Sequence, residues 1–250
     1  MNFQNRKRII LQTLEQAGTA DVHALALLLQ TSDMTVRRDL VELAQQGLLY
    51  RTRGGAMRLD LASNPVRFEN KVAQRTEQKI YIARRAAETI QEGDIIFMDC
   101  GSTVFQLCPF IRHKRIQVIT NSLPVAAELI GSSVTVNLVG GEVDAGRQAV
   151  HGLMAERHIR LYRADRAFIG VNGVSVEHGL SANSEHEAGI TLAMAQQAKQ
   201  AYLLCDSSKL EQTRYLQFAP LELVQTLITD QDAPTAQLAH YRATGLTVVS

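Results

Sequence analysis

The sequence predicts an α/β protein with a small, mainly helical N-terminal domain and a larger, mostly parallel α/β domain. Helical hydrophobic spacing recurs three times in the first fifty residues and is followed by a short hairpin pattern. Beyond a polar, proline-containing stretch, apolar strands alternate with amphipathic helices to the end of the chain. We therefore expect domains at 1–59 and 77–250, joined by a linker at 60–76.

Composition and charge argue against a membrane protein and favour a DNA-binding one. Of the 250 residues, 46% are hydrophobic and 20% are charged, which is typical of a soluble globular protein. No apolar run of about 18 residues is present, so we expect a cytoplasmic protein without a membrane partner. Residues 1–58 carry eight basic and five acidic side chains, whereas the remainder carries 18 and 20. This basic N-terminal part favours DNA contact.

The cysteine pattern argues against a metal site. Cys100, Cys108 and Cys205 are odd in number and lie at no spacing that is typical of metal ligands. We expect free thiols in a reducing compartment, with no metal and no cofactor.

The first three helices form a compact pattern. Ile10 lies on the apolar face of the first helix, which Gly18 ends, and Asp21 is placed to cap the second helix. A short turn follows, and Ser32 is placed to cap a third helix that ends near Gly47. Two short helices joined by so tight a turn predict a helix-turn-helix.

The third helix has one apolar and one polar face. Val36, Leu40 and Leu43 lie on the apolar face, which would pack on the first two helices. Polar and basic first turns suit the major groove of double-stranded DNA, where arginine pairs with guanine edges. The candidate DNA contacts in this region are Ser32, Met34, Thr35, Arg37 and Arg38. In the alternative interpretation, the two arginines only solvate a surface and pair with Asp39 or Glu42.

A hairpin pattern follows the third helix. Residues 48–52 predict a strand, 53–55 a turn and 56–59 a returning strand, which together form a wing. Arg51 and Arg53 are candidate contacts for phosphate or the minor groove, and Gly54 allows close approach of the backbone. The N-terminal domain is therefore predicted to be a winged helix-turn-helix.

The larger domain is predicted to bind a ligand at one edge of its sheet. Apolar strands are expected at 95–98, 116–120, 134–139, 166–171, 201–205 and 226–229. In such sheets ligands bind beyond the carboxyl ends of the strands. Clusters of small and polar residues occur at these positions, with helix N-termini that suit a phosphate. The candidate ligand contacts are Asp99, Gly101, Ser102, Thr103, Thr120, Asn121, Ser122, Gly140, Gly141, Glu187 and Lys209.

Three of these candidates carry charge. Lys209 is a candidate counter-charge for a phosphate, and Asp99 and Glu187 are suited to accept hydrogen bonds from sugar hydroxyls. Each cluster taken alone is more often an ordinary turn or helix cap, but five such clusters at the strand ends of one sheet favour a ligand site. His151, His178 and His186 are expected in loops, without the spacing of a metal site.

Several motifs resemble the DeoR family of bacterial sugar-metabolism regulators. In the N-terminal part these are Thr-Val-Arg-Arg-Asp-Leu at 35–40 and Arg-Gly-Gly-Ala at 53–56. In the larger domain they are Asp-Cys-Gly-Ser-Thr at 99–103, Thr-Asn-Ser at 120–122 and Asp-Ser-Ser-Lys at 206–209. The resemblance implies a fold of the ribose-5-phosphate isomerase and glucosamine-6-phosphate deaminase type. It also implies that a phosphorylated sugar is the effector.

We expect a transcriptional regulator, most simply a repressor, of a carbohydrate-metabolism operon. Its expected partners are operator DNA, a phosphorylated sugar and further copies of the chain. A single DNA-binding domain offers few contacts, so a dimer or tetramer is expected to place several of these domains on repeated half-sites. An alternative is a sugar-phosphate isomerase or deaminase with an attached DNA-binding module, which would use Asp99, Glu187 and Lys209. No recognisable catalytic constellation favours it. An activator, or a regulator without a small-molecule effector, also fits the sequence.

Overall fold

The computed structural model describes residues 3–46, 48–51, 54–57 and 68–250 of the chain. The chain divides into two compact units, residues 1–67 and 68–250, each of which has its own hydrophobic core. No helix among the described residues is long and apolar enough to cross a membrane.

The N-terminal unit contains three helices and a small sheet. Its elements are α1 Phe3–Ala17, β1 Thr19–Asp21, α2 Val22–Leu29, α3 Asp33–Gln45, β2 Tyr50–Arg51 and β3 Gly55–Met57. The two predicted caps are formed, because Asp21 Oδ1 accepts from the Ala24 amide at 2.8 Å and Ser32 Oγ accepts from the Thr35 amide at 3.3 Å. The apolar face of α3 is buried against the other helices. The helix-turn-helix is thus present.

The wing differs in detail from the sequence-based expectation. The sheet has three antiparallel strands in the order β1-β3-β2, and β1 was not predicted because its three residues are too short for a periodic pattern. Gly55, predicted in the turn, lies in β3 opposite Asp21. A Cβ atom at Gly55 would lie 2.0 Å from the Ala20 carbonyl oxygen, so the close approach of β1 requires glycine here.

The C-terminal unit is a layered α/β structure. Its helices are α4 Phe68–Ala73, α5 Thr76–Ala87, α6 Ser102–Phe105, α7 Cys108–Ile111, α8 Leu123–Leu129, α9 Leu153–Arg160, α10 Glu185–Gln196 and α11 Thr235–Ala243, with 3-10 turns at Ser207–Lys209 and Leu221–Leu223. Its strands are β4 Ile95–Met98, β5 Gln117–Thr120, β6 Thr135–Leu138, β7 Glu142–Asp144, β8 Ala149–His151, β9 Ala164–Ile169, β10 Gly173–Ser175, β11 Gly179–Ala182, β12 Ala198–Leu204, β13 Leu216–Ala219, β14 Thr226–Ile228 and β15 Thr247–Val249.

Seven strands form one parallel sheet in the order β15-β14-β12-β9-β4-β5-β6. From β4 the chain runs outward through β5 and β6 and then returns to β9 on the other side of β4. Such a reversal opens a crevice between the carboxyl ends of the two central strands. The register aligns Met98 with both Thr120 and Phe168, so the residues that follow β4, β5 and β9 meet at one edge.

The six predicted strands are present, and the mostly parallel sheet is confirmed. The hairpin β7–β8, the small sheet β10-β11-β13 and the edge strand β15 were not predicted. All of these consist of three- or four-residue strands, which are too short to show alternation.

The predicted linker is partly structured. Residues 60–67 lie outside the described residues, whereas α4 and the start of α5 belong to the C-terminal unit, which begins at Phe68 rather than at residue 77. Phe68 is buried, and its ring meets that of Phe105 edge-to-face with centroids 5.3 Å apart. Six residues show little periodicity in sequence, so the pattern of this short helix does not differ from that of a connector.

Candidate functional site

The exposed face of α3 carries the candidate DNA contacts. Met34 is 72% exposed, and both Arg37 and Arg38 are exposed. Ser32 and Thr35 are joined by their hydroxyls at 3.0 Å, which holds the first turn of the helix. The polar face therefore begins at a rigid cap.

The acidic neighbours of these arginines are engaged elsewhere. Asp39 is only 3% exposed and pairs with Arg6 of α1, with Nε–Oδ2 at 2.6 Å and Nη2–Oδ1 at 3.0 Å. Glu42 accepts a hydrogen bond from Gln46 at 3.3 Å. In the described part of the chain, neither Arg37 nor Arg38 forms an ion pair. Both guanidinium groups are thus available for phosphates or base edges.

Of the candidate DNA contacts in the wing, the structure describes only backbone atoms. Arg51 lies in β2 and Arg53 lies outside the described residues. Gly54 is exposed, its carbonyl accepts from the Val22 amide at 2.8 Å, and a Cβ atom added to it would contact nothing within 4 Å. Nothing described in the N-terminal unit therefore requires glycine at position 54.

Asp99 lies at the crevice between β4 and β9. Its Oδ1 accepts from the Gly101 amide at 2.7 Å and its Oδ2 from the Gly170 amide at 2.6 Å. Burial raises the pKa of Asp99 to about 6, although both hydrogen bonds act in the opposite direction. The carboxylate therefore joins the loops after two strands, and both of its oxygens already have backbone partners.

The clusters after β4 and β5 shape the crevice. Ser102 and Thr103 form the first turn of α6, directly after Gly101. Thr120 Oγ1 accepts from the Ser122 amide at 3.0 Å, and Ser122 Oγ caps α8 by accepting from the Val125 amide at 3.3 Å.

Asn121 is buried with its neighbours Thr120 and Ser122. Its Nδ2 donates to the Val150 carbonyl at 3.0 Å, which ties the β5 loop to β8. Each of the three side chains thus forms a structural hydrogen bond, although among the described residues Asn121 Oδ1 has no partner.

Gly140 and Gly141 begin the β7–β8 hairpin. The Gly140 amide donates to His158 Nδ1 at 3.1 Å. Gly141 has φ of 155°, and a Cβ atom there would lie 2.8 Å from the His151 carbonyl oxygen. These contacts give both glycines a role in packing the hairpin.

The β7–β8 hairpin places the guanidinium group of Arg147 at the crevice. The Arg147 guanidinium, from the turn between β7 and β8, forms an ion pair with the Glu187 carboxylate. Arg147 Nη2 also lies 3.9 Å from Cys100 Sγ, beside Asp99. Glu187 is in the first turn of α10, which Ser184 caps by accepting from the Glu187 amide.

Two lysines add to this charge. Lys209 is in the 3-10 turn after β12, and Lys71 is in α4. Burial lowers the pKa of Lys71 to about 8, and the charges of Arg147 and Lys209 act in the same direction. Asp99 opposes them, so all four groups share one electrostatic environment. Among the described side chains of the C-terminal unit, neither ammonium group forms an ion pair.

Arg75 supports this arrangement from the junction of α4 and α5. It has a left-handed conformation, with φ of 51°, and its Nε lies 3.1 Å from Asp206 Oδ1. Its Nη2 donates to Ser207 Oγ at 2.8 Å and to Asp232 Oδ2 at 3.0 Å. Arg75 therefore fixes the loop that carries Lys209.

The histidine assignments need correction. His151 lies in β8 and is buried, and His186 lies in the first turn of α10, whereas His178 is in a turn. Burial lowers the pKa of His151, and the charge of Arg147 adds to this effect. Within the described ranges, no group of three potential ligands is placed to hold a metal ion.

Two family models match the chain. The model of the DeoR C-terminal sensor domain matches residues 74–231, and that of the DeoR-like helix-turn-helix domain matches residues 6–61. The chain belongs to the DeoR family.

Curated relatives extend over nearly the whole DeoR-family chain. The putative aga operon transcriptional repressor of Escherichia coli O157:H7 is 31% identical over 98% of this chain and 92% of the relative. The HTH-type transcriptional repressor GlcR of Bacillus subtilis is 34% identical over 92% and 90%. The lactose phosphotransferase system repressor of Lactococcus lactis is 34% identical over 96% of both chains. The chain is accordingly a DNA-binding transcriptional regulator and not an enzyme.

Among solved structures, ribose 5-phosphate isomerase A of Methanocaldococcus jannaschii is similar over 54% of each chain, with 18% identity and a TM-score of 0.40.

Sequence reasoning missed three cations of this DeoR-family sensor domain. Lys71 and Arg75 lie in the segment that was read as linker, and Arg147 lies in a hairpin that was not predicted. No sequence pattern indicated them, since an isolated arginine in a turn has no pattern of its own.

Proposed function

We propose that the chain is a repressor of a carbohydrate-metabolism operon whose affinity for operator DNA is controlled by a phosphorylated sugar. The observation that carries this proposal is the position of Arg147 at the carboxyl edge of the sheet, where it pairs with Glu187 and lies 3.9 Å from Cys100 Sγ. Lys71 lies on the helix that is hydrogen-bonded to the neighbouring Gly146, and Lys209 lies in the turn after β12. Like charges that are partly buried repel one another, and a phosphate dianion would remove that repulsion. The names of the relatives, which include aga operon and lactose repressors, agree with a sugar-linked signal.

The remaining groups of the crevice suit the sugar part. The Glu187 carboxylate is held by Arg147, so a phosphate that competes for the guanidinium leaves a carboxylate to accept sugar hydroxyls. The small residues at 101–103 and 120–122 keep this edge of the sheet free of bulky side chains. A phosphorylated carbohydrate therefore matches the chemistry better than a neutral sugar.

For operator recognition we propose that α3 lies in the major groove. Arg37 and Arg38 would contact base edges or phosphates, with Met34 and Thr35 beside them and Ser32 at the cap. Arg51, Arg53 and Gly54 of the wing would contact the backbone or minor groove. Two or four copies of the chain would be needed to occupy repeated half-sites.

A thermal-shift screen of the full chain tests the effector class. We would compare ribose 5-phosphate, glucose 6-phosphate, fructose 1-phosphate, glucosamine 6-phosphate and inorganic phosphate with the unphosphorylated sugars. A ligand at 100 times its Kd adds about 2.7 kcal/mol to the free energy of unfolding, which raises Tm measurably. A rise with phosphorylated compounds alone supports the proposal. If no phosphorylated compound raises Tm, the proposed effector class is wrong.

A further inference from the structure

Helix α4 is the first element of the C-terminal unit, and the chain before it leads to the DNA-binding unit. Its N-terminal residue, Phe68, donates its amide hydrogen to the Gly146 carbonyl at 3.1 Å, next to Arg147. The Phe68 ring packs on Phe105 at the end of α6, and α6 begins directly after the Asp99 loop. The start of α4 is thus attached to two segments of the crevice.

The other end of α4 is attached to the loop that carries Lys209. The Lys71 carbonyl accepts a hydrogen bond from the buried Lys79 ammonium of α5. Two residues after the helix, Arg75 binds Asp206 and Ser207. Helix α4 therefore connects the Arg147 hairpin with the Lys209 loop, and any closure of these two around an anion displaces its anchors.

Lys71 is a third cation and lies within this helix, between its two attachments. Its side chain is partly buried, and among the side chains that the structure describes it has no hydrogen-bond acceptor or ion-pair partner. The neighbouring charges are those of Arg147, Lys209 and Asp99, together with the Cys100 thiol. A partly buried ammonium group without a partner is costly, and an anionic ligand would supply one.

We propose that Lys71 binds the anionic group of the effector and that α4 thereby transmits occupancy of the crevice to the chain that leads to the DNA-binding unit. This inference rests on the proposed effector class. With the crevice occupied, attraction between the anion and three cations fixes α4 to both loops. Without the anion, mutual repulsion of the cations weakens that attachment.

Substitution of Lys71 tests the binding role. The full-length Lys71→Met variant and the matched control Lys199→Met, whose lysine is exposed and pairs with Asp165 at 2.8 Å, would be compared with the unaltered chain. Affinity for ribose 5-phosphate, glucose 6-phosphate, fructose 1-phosphate, glucosamine 6-phosphate and inorganic phosphate would be measured by titration calorimetry. We expect Lys71→Met to weaken binding about tenfold or more, Lys199→Met to leave it unchanged and Lys71→Arg to restore most of it.

Hydrogen exchange tests the transmission. For a compound that binds the unaltered chain, amides in 69–74 should exchange more slowly at saturation, and this protection should be smaller in saturated Lys71→Met. The inference is overturned if the unaltered chain binds a phosphorylated compound and Lys71→Met binds it equally well. It is also overturned if saturation leaves exchange in α4 unchanged. Absence of any binding to the unaltered chain instead refutes the proposed effector class, and the inference falls with it.

Stability of the variant is checked by its unliganded Tm. Removal of a desolvated ammonium group should leave Tm unchanged or raise it. If Lys71→Met unfolds, Lys71→Gln, which keeps a polar end, is measured in its place with the same expected loss of affinity.

Discussion

At the scale of single residues, Arg37 and Arg38 of α3 are available to bind DNA because the acidic side chains near them have other partners. The Arg6–Asp39 pair engages the carboxylate that would otherwise compete for Arg38. We predict that Arg38→Ala weakens specific operator binding by about 1–3 kcal/mol and binding to unrelated duplexes much less, because a base contact is lost. Fluorescence anisotropy with both duplexes measures the difference.

The control for this substitution is Arg8→Ala, which removes the same charge from an exposed position on α1. Equal losses for the two variants, or equal losses on both duplexes, would show that Arg38 contributes only general electrostatic attraction.

The two wing glycines provide a matched pair. We predict that Gly55→Ala lowers the free energy of unfolding by about 1–3 kcal/mol, since its Cβ atom would overlap the Ala20 carbonyl. Gly54→Ala should change it by less than about 0.5 kcal/mol, because nothing lies within 4 Å, but should weaken DNA binding if the backbone approaches DNA. Urea denaturation and anisotropy separate these effects. Unaltered DNA binding by Gly54→Ala would remove this glycine from the interface.

The protonation state of Lys71 should make the affinity for a phosphorylated sugar depend on pH. Burial and the charges of Arg147 and Lys209 hold its pKa at about 8, against the attraction of Asp99 and Cys100. Since only the protonated form attracts an anion, affinity for a phosphorylated sugar should fall as pH rises through about 8. Lys71→Arg, which stays charged, should flatten this decline. Calorimetry between neutral and alkaline pH measures it, and identical profiles for both proteins would contradict the role of Lys71.

At the scale of elements, the length of each hydrophobic pattern decided what could be predicted. The central strands are continuous apolar runs, so the sheet and the polar clusters at its edge followed from the sequence. Helix α4 and the β7–β8 hairpin are too short for periodicity, and their positions depend on tertiary contacts such as Phe68 on Phe105. The residues Asp99, Glu187 and Lys209 were therefore predicted, whereas Lys71 and Arg147 were not.

Helix α4 also allows binding and signalling to be separated. We predict that Phe68→Leu, which keeps an apolar side chain but loses the edge-to-face contact with Phe105, leaves phosphorylated-sugar affinity within a few-fold. The effect of the sugar phosphate on operator affinity should become smaller, because α4 is less firmly attached to α6. Operator titrations with and without the sugar phosphate measure this.

Phe110→Leu is the control for that experiment, since Phe110 is a partly buried ring that packs under Arg84, away from α4 in the chain. A normal DNA response in Phe68→Leu would show that the ring contact plays no part in signalling.

At the scale of the whole molecule, the proposed regulation is a linkage between two ligands. If a sugar phosphate lowers operator affinity tenfold, operator DNA must lower sugar-phosphate affinity tenfold, which is about 1.4 kcal/mol. Calorimetry with the chain alone and saturated with operator duplex checks this equality. Sugar-phosphate affinity that is indifferent to operator would mean that the two sites are not coupled.

The buried carboxylate of Asp99 has a mechanical consequence for the sensor domain. Its Oδ2 accepts from the Gly170 amide after β9, whereas its Oδ1 accepts from the Gly101 amide of its own loop, so separating β4 from β9 would remove one of the two donors of a desolvated carboxylate. The floor of the crevice is thus held by hydrogen bonds. The segments that can move are those at its rim, the β7–β8 hairpin and α4. We therefore expect the sequence differences that alter sugar preference among such regulators to lie in these rim segments, where substitutions leave the Asp99 hydrogen bonds intact.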